Sequence, residues 1–360
     1  MENLALSKQL LEKLISLCRK ATDKVGRRIT LMEVCGTHTT AISKSGLRSL
    51  LSEYMELLSG PGCPVCVTDQ KDIDKSIALA RLPGIVIATF GDMVRIPGSN
   101  SSLEQEKARG AQVEVFYSPH DAVAYARKHQ NREIIFLGVG FETTIPAVAM
   151  SISEAMSQNI KNYVVFSVHK LVPPAMHTLL HDHELRVDGF ILPGHVCTIT
   201  GRKAFDFIGS EYHLPSVIAG FESVDIMQAI YLLLQQIVSG TAATTIGYTR
   251  LVHEEGNIRA RAIIDRFFDP TDACWRGFGS IPASGLLIKK DYSRYDATVR
   301  FPVDVPESST TEGCSCGEIL KGKLKPSQCP LFGSVCTPSD PIGPCMVSSE
   351  GACAAYYQYG

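Results

Sequence analysis

The sequence predicts an α/β protein with two doubly wound parallel-sheet (Rossmann-like) units that face a cleft, followed by a cysteine-rich C-terminal domain. Short β-rich runs alternate with helical stretches from residue 29 to residue 238. The runs are apolar over about six residues, which is typical of parallel strands buried on both faces. Turns rich in Gly, Pro, Cys or His follow several runs, at the positions where open α/β sheets bind ligands.

The predicted strands alternate with amphipathic stretches that have helical periodicity. An N-terminal helix spans residues 4–20, with Cys18 as a core thiol. Ser118-Pro119 and Gly240 are typical of a helix start and a helix end, respectively. The predicted strands are Ile29–Val34, Gly84–Phe90, Ile134–Val139, Tyr163–Val168, Val187–Leu192 and Ser216–Ala219, and the predicted helices are 72–81, 119–129, 147–157, 173–183 and 224–238.

Length and composition indicate a globular protein of several domains. A chain of 360 residues is expected to form two or three domains. We predict α/β domains at 1–130 and 131–240 and a mixed domain at 241–360, where residues 241–300 show little pattern and Ser308–Thr311 belong to a loop into the tail.

Charge and hydropathy exclude several partners. The net charge of −2 gives no reason to expect nucleic acid or a membrane surface. No apolar run approaches the roughly 20 residues that span a bilayer, and no secretory signal is visible at the start. We therefore expect a cytoplasmic protein, monomeric on its own, in which twelve cysteines act as metal ligands or redox groups.

Two thiol sites lie in the first part of the chain. Cys63 and Cys66 form a Cys-x-x-Cys pair within Gly60–Cys66, and such pairs have lowered thiol pKa values and can form a disulfide or bind a soft metal. Cys35 and His38 follow a predicted strand. They could be a thiolate ligand with a proton donor, a nucleophile with its base, or a buried Cys beside a surface His.

The tail holds six cysteines within 40 residues: Cys314, Cys316, Cys329, Cys336, Cys345 and Cys353. A segment that cannot build its own core implies a metal staple. The irregular spacing favours an iron–sulfur cluster over structural zinc, disulfides or inert thiols. Spacing alone does not select four ligands from six.

Other polar residues carry weaker signals. Glu142, in a Gly-Phe-Glu-Thr-Thr turn, could face an anion site, although helix capping by Thr143 or Thr144 would also explain the turn. His177, His181 and His183 offer an i, i+4 pair on one helix face that could hold a metal, but such pairs are more often solvated. Cys197 and Cys274 are interpreted as packing residues. Motifs of P-loop nucleotidases, serine hydrolases, zincins and typical radical enzymes are absent from the sequence.

An ordered set of motifs resembles the hydrogenase maturation factor HypD family over essentially the whole chain. The set comprises Glu33–His38, Gly60–Val67, Gly140–Thr144, Pro193–Val196 and Gly343–Cys353. The resemblance implies assembly of the iron centre of nickel–iron hydrogenases, in which iron receives two cyanides and one carbon monoxide. The implied partners are HypC, which helps to hold the iron, and HypE, which delivers cyanide with HypF upstream.

The resemblance also implies roles for individual residues. Cys35 corresponds to the iron-holding cysteine, and Cys63 and Cys66 to a redox pair. His38, Glu142 and His195 are expected to line the cleft and manage protons. The family pattern of 4Fe–4S ligands, Cys-x14-Cys-x6-Cys-x16-Cys, falls on Cys314, Cys329, Cys336 and Cys353, with Cys316 and Cys345 as neighbours. Two positions depart from the family: Thr40 replaces a frequent His, and Cys197 a common Ser.

Two rival functions use only some of these sites. An iron–sulfur-dependent thiol–disulfide oxidoreductase would need Cys63 and Cys66 but not Cys35. A pure scaffold would leave Cys63 and Cys66 inert. Iron-centre assembly is favoured because it uses all three thiol sites, and whether it amounts to an enzyme depends on whether the iron group is made on this protein or carried by it.

Overall fold

A computed structural model describes residues 2–307 and 313–360, with side chains from residue 10 onward. The predicted Ser308–Thr311 loop lies outside the described residues. The strands are β1 (Ile29–Glu33), β2 (Met55–Ser59), β3 (Ile85–Thr89), β4 (Gln112–Val115), β5 (Glu133–Gly138), β6 (Tyr163–Ser167), β7 (Gly189–Pro193), β8 (Ser216–Ala219), β9 (Thr244–Ile246), β10 (Phe268–Trp275) and β11 (Gly279–Ile288).

Helices connect the strands and form the C-terminal segment. They are α1 (Glu2–Val25), α2 (Gly36–Lys44), α3 (Leu47–Leu51), α4 (Pro64–Val67), α5 (Gln70–Ala80), α6 (Gly91–Val94), α7 (Leu103–Ala108), α8 (Pro119–Lys128), α9 (Ile145–Ser157), α10 (Val172–Leu180), α11 (Gly194–Thr200), α12 (Phe207–Ser210), α13 (Ser223–Ser239), α14 (Ile258–Phe267), α15 (Ala297–Arg300), α16 (Cys316–Leu320), α17 (Pro344–Val347) and α18 (Ala352–Tyr359). None of these helices is long and apolar enough to cross a membrane.

The strands form two parallel sheets and one antiparallel hairpin, which confirms the predicted fold class. The first sheet has the order β2-β1-β7-β8-β9, and the second has the order β4-β3-β5-β6. The hairpin pairs β10 with β11, with a register shift between Thr271 and Ala273. Every pair within the two larger sheets is parallel, so their carboxyl ends form two edges rich in connecting loops.

The strand pairing divides the chain differently from the predicted domains. Residues 29–59 and 189–246 build the first sheet, and residues 85–167 build the second. The predicted joint near residue 130 therefore falls between β4 and β5, which belong to the same sheet. A unit built on the first sheet is discontinuous in the chain because β1 pairs with β7, with Leu31 opposite Gly189.

The predicted start of α8 and the predicted end of α13 are confirmed by their local geometry. The Ser118 side chain accepts a hydrogen bond from the His120 N–H, and Pro119 occupies the first turn of α8, as predicted. Helix α13 ends at Gly240, whose φ of 76° is a left-handed conformation that glycine adopts without a steric penalty. In α1, Cys18 is buried, which confirms it as a core thiol.

The hydrophobic cores bring distant parts of the chain together. Buried residues of α1, α2 and α13 cover one face of the first sheet. Residues of α8 and α9 pack on the second sheet together with the hairpin residues Phe268 and Leu286. A third cluster contains Cys63, Cys66, Trp275 and buried residues of the C-terminal segment. The tail is thus part of the interior, and its burial fixes it against the sheet edges.

Candidate functional site

Cys35 lies at the carboxyl end of β1, where the chain turns into α2. Its backbone is extended, with φ −155° and ψ 124°, and it is the N-cap residue of the nine-residue helix. Its side chain makes no capping hydrogen bond, although the nearby N–H groups of His38 and Thr37 lower the pKa of its thiol. A strand end followed by a helix start therefore positions this thiol, as the sequence predicted from the Ile29–Val34 run.

The protein environment nevertheless favours the protonated thiol at Cys35. Burial, together with the carboxylates of Glu350 and Glu33, raises the pKa of Cys35 to about 12. The N–H groups of α2 only partly oppose this shift. A metal that binds Cys35 must therefore displace a proton, because a thiolate is the ligand.

Glu33 is a buried carboxyl group that organises the turn around Cys35. Its Oε2 accepts a hydrogen bond from the Cys35 N–H at 2.9 Å, and its Oε1 accepts one from the Thr39 hydroxyl. Burial raises the pKa of Glu33, while these hydrogen bonds lower it. The side chain fixes the Cys35 backbone from the strand side.

The glycines of the Gly60–Cys66 loop allow it to approach Cys35 closely. The Gly36 N–H donates to the Gly62 carbonyl at 2.8 Å, and the Gly60 N–H donates to the Glu33 carbonyl at 2.8 Å. A Cβ at Gly62 would lie 2.2 Å from the Cys35 nitrogen, so a side chain at this position would displace the backbone. Glycine is required here for close backbone packing rather than for an unusual φ.

Cys63 and Cys66 form a disulfide within this loop, with their Cα atoms 5.2 Å apart. Cys63 caps the short helix α4, since its sulfur accepts a hydrogen bond from the Cys66 N–H at 3.2 Å. Both residues are buried, with 3% and 0% exposure. The Cys66 sulfur lies 3.9 Å from the Pro344 carbonyl oxygen, which places the pair against the cysteine-rich tail.

His38 and His195 both stack on one aromatic ring, that of Phe221. The His38 ring stacks on Phe221 with centroids 4.7 Å apart, and the His195 ring stacks at 3.8 Å. The Nε2–H of the buried His38 donates a hydrogen bond to the Gly220 carbonyl oxygen at 2.8 Å. Burial lowers the pKa of His38 to about 4, so it is neutral at physiological pH. His195 is exposed and free to exchange protons with solvent.

Glu142 follows β5 and reaches the start of α10. Its Oε1 accepts a hydrogen bond from the Val172 N–H at 2.9 Å. Burial raises the pKa of Glu142 to about 7, which allows it to gain or lose a proton near neutral pH. Thr144 is the N-cap residue of α9 but makes no side-chain capping bond, so capping does not explain this turn.

Cys197 lies close enough to both Glu142 and Cys35 for their charges to affect its pKa. It is fully buried in α11, as expected of a packing residue. Burial raises the pKa of Cys197 well above the usual value, and the nearby Glu142 and Cys35 groups raise it further. The structure thus brings Cys35, Glu142 and Cys197 into one electrostatic neighbourhood.

The tail cysteines gather into one group, in which all are buried except the half-buried Cys314. Burial raises the pKa of Cys353, and the neighbouring Cys316, Cys336, Cys314 and Cys329 thiols raise it further. The predicted four-ligand set is therefore close together, and thiolates are the donors that iron–sulfur clusters require. Within residues 2–307 and 313–360, however, no three His, Cys, Asp or Glu side chains form an arrangement that could hold a metal ion.

The segment Gly343–Gly351, termed the tail strap, crosses both sheet edges. Its Glu350 Oε1 accepts from the Thr37 hydroxyl at 2.7 Å, and its Ser349 carbonyl accepts from the Thr40 hydroxyl at 2.9 Å. Its Ser348 hydroxyl donates to Asp92 Oδ2 of α6 at 2.8 Å. Thr40 thus holds the strap on α2.

Two other sequence interpretations are resolved by position. His181 hydrogen-bonds the His177 carbonyl and the Tyr212 hydroxyl, and His177 stacks on Phe207, so this pair is engaged with its own neighbours. Cys274 is exposed on β10, so its interpretation as a packing residue was wrong. Successive side chains of a strand point to opposite faces, so Cys274 is exposed while the next residue, Trp275, is buried.

Sequence reasoning assigned no role to Glu33, Phe221 or Glu350. A carboxylate inside the apolar run before Cys35 was a usable signal for Glu33, because a buried charge needs partners. Phe221 and Glu350 meet α2 through tertiary contacts across 183 and 313 residues of sequence, respectively, and no local pattern reveals such contacts.

Fold and site together define a class of protein: a two-sheet α/β protein with a buried thiol at one sheet edge, a dithiol loop and a cysteine-rich tail. The family model described as the hydrogenase formation hypA family, HypD, matches residues 7–360. The chain belongs to the HypD family. It is 43% identical to the hydrogenase maturation factor HypD of Rhodobacter capsulatus, over 99% of this chain and 96% of the relative. The HypD proteins of Escherichia coli K12 and Cupriavidus necator are each 42% identical, over 98% and 95% of this chain and 94% and 92% of their own lengths.

Proposed function

We propose that this chain takes part in hydrogenase maturation as the assembly scaffold for the Fe(CN)2CO group of nickel–iron hydrogenases. Family membership and the names of its relatives support the maturation role. The observation that carries the finer role is the buried Cys35 thiol, enclosed by the Gly60–Cys66 loop and the tail strap. A soft thiolate in such a setting suits low-spin ferrous iron with cyanide and carbonyl ligands.

In this proposal Cys35 holds the incoming iron together with a thiolate from HypC. Cyanide arrives through HypE, with HypF upstream. The neighbouring Glu33 already accepts hydrogen bonds from the Cys35 N–H and the Thr39 hydroxyl, so it positions the ligand. Shared ligation by two proteins allows the finished group to be passed on when they separate.

Three side chains would manage protons around the iron. Glu142, with a pKa raised by burial to about 7, can both accept and release a proton near neutral pH. His38 stays neutral, since burial lowers its pKa to about 4. Its stacking partner Phe221 also contacts His195, which is open to solvent and can exchange protons there.

Cys314, Cys329, Cys336 and Cys353 would hold a 4Fe–4S cluster, which supplies single electrons when bound. The dithiol form of Cys63 and Cys66 releases two electrons and two protons when the disulfide forms. The position of Cys66 beside Pro344 supports redox contact between this pair and the tail. Burial of both sulfurs disfavours the rival thiol–disulfide oxidoreductase, because a protein disulfide would need access to one of them.

Infrared spectroscopy tests this role on protein co-purified anaerobically with HypC. We expect metal-bound cyanide and carbonyl bands between roughly 1,850 and 2,150 wavenumbers, as strong-field ligands of ferrous iron. The Cys35→Ala protein should lose these bands, whereas Cys274→Ala, which removes an exposed thiol, should keep them. Bands that persist in Cys35→Ala would show that Cys35 does not hold the iron.

A further inference from the structure

A cavity of about 450 Å³ lies beside Glu142, on the side formed by α10, α11, α14 and the β10–β11 hairpin. Its volume is within the range of small-molecule sites. Its walls are mainly apolar and include Leu171, Pro173, Pro174, Ile199, Ile264 and Leu286. A ligand with an apolar body would therefore be desolvated favourably inside it.

Glu142 supplies a polar group in the wall of this cavity. The residue is 5% exposed, and its Oε2 has no hydrogen-bond partner among the described residues. The local sequence explains why: Oε1 takes the Val172 N–H, and the next two residues, Pro173 and Pro174, have no N–H to offer. A buried carboxyl oxygen without a donor is costly, so a ligand that donates a hydrogen bond would relieve this cost.

The rim of the cavity carries charges of both signs. Lys203 pairs with Glu255, whose carbonyl oxygen also accepts from Arg261 at 3.0 Å. Asp265 is the fourth charged residue of the rim, in addition to Glu142 in the wall. With two positive and two negative side chains, the rim does not select strongly by charge. Glu142 is therefore the residue that determines which polar group of a ligand the cavity binds.

We infer that this cavity binds a small molecule with an apolar body and an end that donates N–H hydrogen bonds to Glu142. An amine, amidine or primary amide on a ring or short aliphatic chain has this chemistry. The site goes beyond the proposed assembly role, since neither iron nor a partner protein is needed to occupy it.

Benzamidine is a suitable probe, with benzoate as a ligand of similar shape and opposite charge. The full-length protein carries labelled isoleucine δ-methyl groups, and Ile199 and Ile264 report from the cavity walls. We expect benzamidine to shift both signals in a saturable manner and to bind at least tenfold more tightly than benzoate. Charge-assisted hydrogen bonds have a strength that accounts for this difference.

Two variants distinguish the contribution of Glu142 to benzamidine binding from that of the charged rim. Glu142→Gln should weaken benzamidine binding about tenfold or more, whereas Asp265→Asn should change it less than threefold. Circular dichroism checks that both variants fold, and Ala204→Phe, which adds a large ring to the cavity wall, should also abolish binding. Equal binding of benzamidine and benzoate, or unchanged benzamidine binding in folded Glu142→Gln, would overturn the inference.

Discussion

At the scale of single residues, burial sets the protonation states that the site can use. It raises the pKa values of Cys35 and Glu142 to about 12 and about 7, and lowers that of His38 to about 4. In each case burial disfavours the charged form. Burial therefore favours the neutral forms of these side chains. A cation bound at Cys35 would instead favour its thiolate.

Glu142 should make stability depend on pH. Its folded pKa of about 7 exceeds the ordinary value for Glu, so the unfolded chain loses the proton first. The stabilising contribution is complete below the unfolded pKa and is lost as pH rises through about 7. The free energy of unfolding of Glu142→Gln should therefore increase relative to that of the unmodified protein as pH rises. From pH 5 to pH 8 we expect the difference between the two proteins to change by about 1–3 kcal/mol.

Urea unfolding of both proteins at pH 5 and pH 8 measures this difference. His38 and His169, whose pKa values burial lowers, affect both proteins alike and cancel in the comparison. A difference in unfolding free energy that is the same at both pH values would show that Glu142 titrates normally.

At the scale of elements, the sequence predicted the strands whose residues are β-branched and buried, such as β3 and β6. It missed β2, because Met-Glu-Leu-Leu-Ser lacks β-branched residues and continues a helical pattern. It also missed the short, half-exposed edge strand β4 and the hairpin, whose strands contain Pro270 and Pro282. The turns after β1, β5 and β7 were predictable because they follow recognisable strands, whereas the Gly60–Cys66 loop follows the missed β2 and was found from its own Gly, Pro and Cys residues.

The tail strap depends on polar contacts that no local pattern reveals. Removing two of them with Thr37→Val and Ser348→Ala should loosen it from α2 and α6, because each net hydrogen bond contributes about 1 kcal/mol. We expect amide exchange of residues 344–351 to become roughly 5- to 30-fold faster. Hydrogen–deuterium exchange with mass spectrometry measures this.

A matched control for the strap is Thr178→Val, which removes a hydroxyl bond within α10. It should leave exchange in the strap unchanged. Unaltered exchange in the double variant would mean that apolar burial of Cys345 and Met346 holds the strap without these bonds.

At the scale of the whole molecule, the chain crosses between the two sheets twice. It leaves the first sheet after β2, completes the second, and returns at β7. The crossing brings the Gly60–Cys66 loop, the Glu142 turn and the tail to neighbouring edges. A division into continuous domains could not predict this arrangement. Periodicity in the sequence identifies a strand, but it does not show which other strand pairs with it.

The crossing predicts that residues 1–130 do not fold alone. This fragment has β1 and β2 without β7, and β3 and β4 without β5, so each sheet would expose an apolar edge. We expect poorly dispersed amide signals from the fragment in nuclear magnetic resonance spectra. Co-expressed with residues 131–360, it should co-purify as a folded pair, since the missing strand partners are then supplied. Well-dispersed signals and cooperative unfolding of the fragment alone would instead support a domain boundary near residue 130.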